Sequence, residues 1–236
     1  MDFTLTADQL FIRMTLRKLI QRECPREKAH ALDEQGTFPA ELLTKIAKIG
    51  FCGLNTPEAF GGGGQDLVGT VIAIEEIAAV SPALAMLFAS VSLCGGRVIS
   101  QFGSSAQQKE FLPQMSRGAL KFSFALEDEL ARENVQATWN GESYLLHGRT
   151  AYVPFTNPAR IDYLITQARD ENDSNSVSLF IVPLDAPGLH VQATPTVGMR
   201  GIGLGEVLFD GVQLGPEQIL GGPQSFGQAK SQVEYL

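Results

Sequence analysis

Near Gly118 the chain changes its hydrophobic period. Before that residue apolar side chains recur every three or four positions, and after it every second position. A period of 3.6 puts one face of a helix in the core, whereas a period of 2 does the same for a strand. One layer type cannot serve both halves, so the sequence predicts segregated parts, an α+β fold. The expectation is an N-terminal α-helical bundle over residues 1–118 and an antiparallel β-barrel or sheet domain over 119–222. The start of a truncated C-terminal helix is expected over 223–236. No alternating β–α pattern appears, which argues against a Rossmann sheet.

In the helical half, Thr6-x-x-Gln9 is a capping box, followed by Leu10, Phe11, Met14, Leu16 and Leu19. Pro39 opens a second helix with Leu42, Leu43, Ile46 and Ile49 on one face, and Gly50 ends it. Asp66 caps a third, with an apolar stripe of Leu67, Val71, Ile74 and Ala78. Ser81-Pro82 starts a fourth that is apolar nearly all round to Leu93 and therefore central, with Gly95-Gly96 expected to break it. Ser105 to Leu112 forms another, closed by Pro113 and Gly118. Beyond that, LKFSFAL reads as a strand. VQATW and SYLLH flank Asn140-Gly141 as a hairpin, with Glu142 able to lengthen the turn. DYLITQA, SVSLFIVP, LHVQAT and GEVLFDGVQL follow as strands.

Four glycines in a row, in Phe60-Gly-Gly-Gly-Gly-Gln-Asp66, raise the question of a phosphate loop. Such a loop needs a strand before it and either GK[ST] or G-x-G-x-x-G spacing. Here Asp66 takes the sixth place and no Lys follows, so a sharp turn is expected. A net charge of −8 argues against a general nucleic-acid surface. No apolar run of 18 residues or secretory leader is present, so neither a signal peptide nor a membrane span is expected. Cys24, Cys52 and Cys94 form no CxxC, and with three histidines no metal site suggests itself. Reduced thiols in a cytoplasmic protein are the reading.

The order of bundle, β domain and helix, with PEAFGGGGQD in the bundle, resembles the acyl-CoA dehydrogenase family. MDFTLTADQ resembles that family's opening helix, and IAKIGFCGLNTPEAFGGGGQDLVGTVIAIEEIA resembles its helix, Pro-Glu-x-x-Gly-Gly turn and next helix. FGSSAQQKEFLPQMSRG is similar to the segment leading into its β domain, and YLITQAR, PGLHV, GMRG and LFDGVQLGPEQILGG to successive β elements. The likeness covers essentially the whole chain, but only the family's N-terminal helical and middle β domains; its C-terminal helical domain has no counterpart here. The resemblance implies a flavoprotein that binds FAD and an acyl thioester in a cleft between domains. A carboxylate base would remove the α-proton while the flavin takes hydride from the β-carbon, an α,β-dehydrogenation belonging to fatty acid metabolism. The base, and most contacts to the adenine end of FAD, come in that family from the C-terminal helical domain and a neighbouring subunit.

The resemblance places cofactor-binding residues at Phe124, Ala125, Leu126, Phe155 and Thr156, and the motif is degenerate. The family's first flavin strand runs aromatic-x-x-Thr-Glu-Pro; here it is Phe124-Ala-Leu-Glu127. Phe124 keeps the aromatic, the amides of Ala125 and Leu126 remain as donors, and Glu127 falls where the Thr hydroxyl would be. Losing that donor removes about 1 kcal/mol net, and a desolvated anion beside the ring costs more unless it is neutralised or turned away. Glu127, Asp128 and Glu129 read most simply as a solvated acidic turn. The second flavin strand reads Gly148-Arg-Thr-Ala-Tyr-Val-Pro-Phe-Thr-Asn157. Counting from Gly148 puts Tyr152 at the aromatic place, and counting back from YLITQAR puts Thr156-Asn157 on the family's Thr-Asn. Pro154 there predicts a bulge or an edge.

Ile202 and Leu204 stand where Ser or Thr is common after Arg-Gly, and Arg200 reads equally as an ion-pair residue or a ligand. No catalytic base can be named. Glu75 and Glu76 are helix neighbours that point apart, and His30, His147 and His190 read as surface or strand residues. The expected partners are an acyl thioester and either further copies in a homo-oligomer or a chain supplying the C-terminal helical domain. Two alternatives stay open: a non-catalytic partner or scaffold subunit with a degenerate flavin site, and a related flavin oxidase or monooxygenase.

Overall fold

The computed structural model describes residues 4–64, 66–127, 134–156 and 161–233. The chain divides into two compact units. One comprises Met1–Arg97, Leu112–Ala119 and Thr196–Ile202, the other Val98–Phe111, Leu120–Pro195 and Gly203–Leu236. Fold class follows the sequence: helices dominate the first part of the chain and a curled sheet the second.

In the first unit, α1 (Ala7–Glu23) starts at the expected capping box: Gln9 N donates to Thr6 Oγ1 at 3.2 Å and Thr6 N to Gln9 Oε1 at 3.1 Å. It buries Ile12, Leu16 and Ile20. α2 (Arg26–Glu34) has no buried residue, so it offers no apolar stripe and escaped the sequence reading. α3 (Ala40–Lys48) buries Leu42, Leu43 and Ile46 as expected. The glycine run is a turn in which Gly61 and Gly64 have φ of 81° and 85°. A Cβ on Gly62 would lie 2.0 Å from the Thr56 carbonyl oxygen, so only glycine fits there.

α4 (Leu67–Ala78) begins at Asp66, whose carboxylate accepts from Gly69 N at 2.8 Å. Its buried face is not the expected stripe. Leu67 and Val71 are 43% and 53% exposed, while Ile72, Ala73, Glu76 and Ile77 are buried. The reason lies across the helix pair. Arg17 of α1 donates to both oxygens of Glu76, at 2.9 and 2.6 Å, and that pairing turns the 72–76–77 face inward. A helix apolar on two faces leaves its orientation to such contacts.

α5 (Pro82–Ala89) is capped by Ser81 and runs on as a π-helical segment, Ser90–Arg97, into α6 (Val98–Phe102). The glycine pair therefore does not break the helix; the wider π turn accommodates it. Pro82–Phe102 is long and apolar enough to cross a membrane by length and composition alone. Most of it is buried, as a central core helix would be. Pro113 does not end α7 (Ser105–Ser116) either. The helix continues for most of a turn, and Ser116 Oγ donates to the Pro113 carbonyl at 3.0 Å.

The second unit carries a seven-stranded sheet. Its strands are β1 (Phe122–Ala125), β2 (Gln136–Trp139), β3 (Tyr144–Val153), β4 (Tyr163–Asp170), β5 (Val177–Pro183), β6 (Leu189–Ala193) and β7 (Gly205–Leu214). The order is β1-β4-β2-β3-β7-β6, with β5 also on β4. The hairpin at Asn140-Gly141 forms with a four-residue connection, Asn140 N donating to Ser143 O at 3.0 Å.

The sheet is mixed rather than antiparallel. β1 and β2 both run parallel to β4, in register Phe122↔Tyr163 and Gln136↔Arg169. Alternation in a sequence reports which residues face inward but not the direction of the neighbour. Among the strands β5 pairs with β4 alone, yet it is buried from Val177 through Val182, with Leu164 opposite Val182 and Ile165 opposite Ile181. Of the helix expected over 223–236, the described part forms a 3-10 turn at Pro223–Ser225 and is α-helical only at α8 (Lys230–Val233). Before it the chain is held along β5: Gly227 N donates to Ser178 Oγ at 2.8 Å and Ala229 N to Val177 O at 2.9 Å.

Candidate functional site

Two short segments, joined by hydrogen bonds across sequence separations of 31 and 24, meet in the second unit. Ser123 Oγ of β1 donates to the Pro154 carbonyl at 2.7 Å, and Thr150 Oγ1 of β3 donates to the Leu126 carbonyl at 2.8 Å. The structure thus brings Phe124–Leu126 to the end of β3, where Phe155 and Thr156 lie. The β3–β7 register shifts between Thr150 and Val153, the bulge that Pro154 predicted. Tyr152 and Phe155 each have φ of 57°, a left-handed conformation costing a side-chain-bearing residue about 1–2 kcal/mol. Their side chains diverge: Tyr152 is 65% exposed and Phe155 fully buried. Thr156 is 3% exposed, and its N–H and hydroxyl both donate to the Gly203 carbonyl, at 3.2 and 3.1 Å. Asn157 lies outside the described residues.

Glu127 is not part of a solvated turn; its side chain is only 11% exposed. Arg169 Nε donates to Oε1 at 2.7 Å and Nη2 to Oε2 at 2.5 Å, while Gln167 Nε2 donates to Oε2 at 2.7 Å. Asn134 Nδ2 donates to Oε1 as well. The cause is register. Ala125 pairs with Thr166 on the parallel β4, so two residues further Glu127 arrives between Gln167 and Arg169, which share a strand face. The hydrogen bonds from Arg169 to Glu127, reinforced by the opposite charge, hold the guanidinium pKa above its ordinary value against the desolvation that opposes it. Nη1 of the same arginine donates to the Ser174 carbonyl at 2.5 Å. Only a parallel β1–β4 pairing places these groups together, and no local signal announces it. Asp128 and Glu129 lie outside the described residues.

The residues present can be tested against a flavin. An isoalloxazine edge offers mainly acceptors, its ring nitrogens and two carbonyls, and asks the protein for donors. Ser123, Thr150 and Thr156 already give their hydroxyl protons to backbone carbonyls. Glu127 is an acceptor whose two oxygens each take two donors. Phe155 lies in the core rather than beside an open face. These side chains do not fit the group in the way the sequence motif implies.

Elsewhere the chemistry is quiet. Glu76 is held by Arg17 and Glu75 points away, 67% exposed. His30, His147 and His190 are exposed. Arg200 is exposed and makes no ion pair among the described residues. No group of three or more metal-ligating side chains occurs among the described residues. One fully used polar group escaped the sequence reading. Gln107 Oε1 accepts from Ser104 N at 2.9 Å and Gly221 N at 3.0 Å, while Nε2 donates to the carbonyls of Glu217 at 2.9 Å and Ile219 at 2.7 Å. It pins the chain before the C-terminal segment and has no free valence for chemistry.

A helical part opening with a capped helix, followed by a curled mixed sheet, is the architecture of the acyl-CoA dehydrogenase fold. Residues 6–119 match the family described as acyl-CoA dehydrogenase, N-terminal domain. The chain is 26% identical over 230 residues to the Bacillus subtilis protein named Probable acyl-CoA dehydrogenase YngJ, covering 94% of this chain and 60% of that one. It is 29% identical over 217 residues to the Caffeyl-CoA reductase-Etf complex subunit CarC of Acetobacterium woodii, covering 89% and 57%. Among solved structures it superposes on a glutaryl-coenzyme A dehydrogenase in complex with glutaryl-CoA, with a TM-score of 0.86 and 26% identity over 97% of this chain and 60% of that one. A Mycobacterium smegmatis glutaryl-CoA dehydrogenase in complex with FADH2 shares the fold at a TM-score of 0.81 and 21% identity, covering 92% and 56%. Over residues 6–119 the chain belongs to the acyl-CoA dehydrogenase N-terminal domain family, and as a whole it spans about 60% of the length of the relatives named above.

Proposed function

We propose that this chain works within an acyl-CoA dehydrogenase-type assembly that oxidises the α,β bond of an acyl thioester with FAD. The isolated 236-residue chain is inactive on this reading. The observation that carries the second statement is the state of its shielded carboxylates. Glu76 and Glu127, 8% and 11% exposed, are both neutralised by arginines, so neither is available as the base that takes an α-proton. On this reading the base comes from further copies in a homo-oligomer or from a chain carrying a C-terminal helical domain.

An exposed apolar face supports such a partnership: Phe11 and Met14 on α1 and Val71 on α4 are 62%, 70% and 53% exposed. The buried thiols of Cys24 and Cys52 support a reducing, cytoplasmic setting. The test is oxidation of a series of saturated acyl-CoAs with an artificial electron acceptor. We expect no turnover from the purified chain and turnover once a chain supplying the C-terminal bundle is co-purified with it. Turnover by the isolated chain would refute the reading.

A second reading is a non-catalytic partner or scaffold subunit. The Glu127–Arg169 pair favours it, because that pair stands where a flavin donor would be needed. Sedimentation would separate a partnered subunit from a self-sufficient one. A compact monomer that takes up no partner at micromolar concentration would contradict both readings.

A further inference from the structure

We infer that Glu127, with Arg169, Gln167 and Asn134, closes the flavin-facing edge of β1 in this chain, so that Phe124–Glu127 and Phe155–Thr156 hold no isoalloxazine ring. The inference deepens the partner-subunit reading and rests on it. The network is charge-balanced: one carboxylate, one guanidinium, and both carboxylate oxygens doubly occupied, with Asn134 Oδ1 its one buried acceptor without a partner among the described residues. A ring placed against it would meet an acceptor where it needs a donor. Turning Glu127 away would strand Arg169, whose Nη1 is already committed to Ser174.

The hydroxyls behind the edge cannot take over. Thr150 and Ser123 hold the carbonyls of Leu126 and Pro154, which also hold the two segments together. Recruiting either would orphan a carbonyl and separate the segments it joins. Thr156 is 3% exposed and fixed to Gly203, whose carbonyl accepts from both its N–H and its hydroxyl. The cavity beside the network is lined by the polar and charged side chains of Glu127, Gln167, Arg169, Asn175 and Lys230 together with Val177 and Val233, a mixed and charged wall rather than the mainly apolar slot a flat ring occupies.

The test uses FAD itself, titrated into the purified chain and followed by flavin fluorescence and by flavin retained after gel filtration. It compares wild type with Glu127→Thr/Arg169→Leu, which restores a hydroxyl donor and removes the stranded cation. Wild type should retain no flavin, and the double variant should bind FAD at least on the order of tenfold more tightly. Stoichiometric flavin on wild type overturns the inference. Equal, negligible binding by both overturns it too, because the exclusion would then lie elsewhere. Circular dichroism checks that the variant is folded, and Glu127→Ser/Arg169→Gln repeats the comparison if it is not. Activity of the assembled protein is read separately. Turnover with flavin-free copies of this chain leaves the functional reading standing, and absence of turnover with flavin-free copies sinks only that reading.

Discussion

Two arginine–carboxylate pairs, one in each unit, show how the same chemistry serves different ends. In the helical unit Arg17 reaches Glu76 across α1 and α4. The carboxylate is 8% exposed but the arginine 59%, so the cation stays in water and the pair chiefly decides which face of α4 turns inward. In the sheet unit Arg169 and Glu127 are 34% and 11% exposed and share their bonds with two amide side chains. Here the pair occupies the place where the family motif calls for a hydroxyl. One ion pair orients a helix; the other takes over a site.

The comparison can be broken in several places. The largest effect is expected from Ile72→Ala on the inward face of α4, a loss of about 3 kcal/mol in urea unfolding, while Val71→Ser on the outer face should change stability by less than about 0.5 kcal/mol. The reverse ranking would restore the stripe read from the sequence. Glu127→Ala comes next. It leaves Arg169 without its counter-ion in a partly shielded site and should cost about 2 kcal/mol, below a fully buried pair because Arg169 is partly solvated.

Glu76→Ala should cost less than Glu127→Ala in the same assay, since Arg17 is free to return to water. Equal losses would erase the distinction between the pairs. The smallest effect concerns alkaline pH. Burial, helped by Glu110, Asp162 and Asp185, pushes the Tyr163 phenol above its ordinary value. A pKa raised by folding contributes stability below the unfolded value near 10 and loses it as pH climbs through the folded one. Tyr163→Phe removes that titration, so its unfolding midpoint should fall less steeply than wild type between pH 9.5 and 11.5. Parallel curves would show that Tyr163 does not contribute.

Much of the fold was legible because it rests on local chemistry. The box at Thr6 and Gln9, the Asp66 and Ser81 caps, the bulge at Pro154 and the turn at Asn140 all depend on neighbours in sequence. What escaped depends on partners far away. The face of α4 was set by Arg17, the parallel run of β1 by β4, and the course of the chain just before Lys230 by β5. The site was half legible for the same reason. The two segments and their convergence follow from motif order. That Glu127 is largely shielded and paired follows only from the β1–β4 register, and that Phe155 turns inward follows from a strained backbone no motif displays.

The central claim is that this family member leaves its own flavin edge closed. It is tested most directly by the ratio of tightly bound FAD to polypeptide in the chain purified from cells grown with ample riboflavin. The account expects a ratio near zero, with no flavin absorption surviving gel filtration. A ratio near one would contradict it.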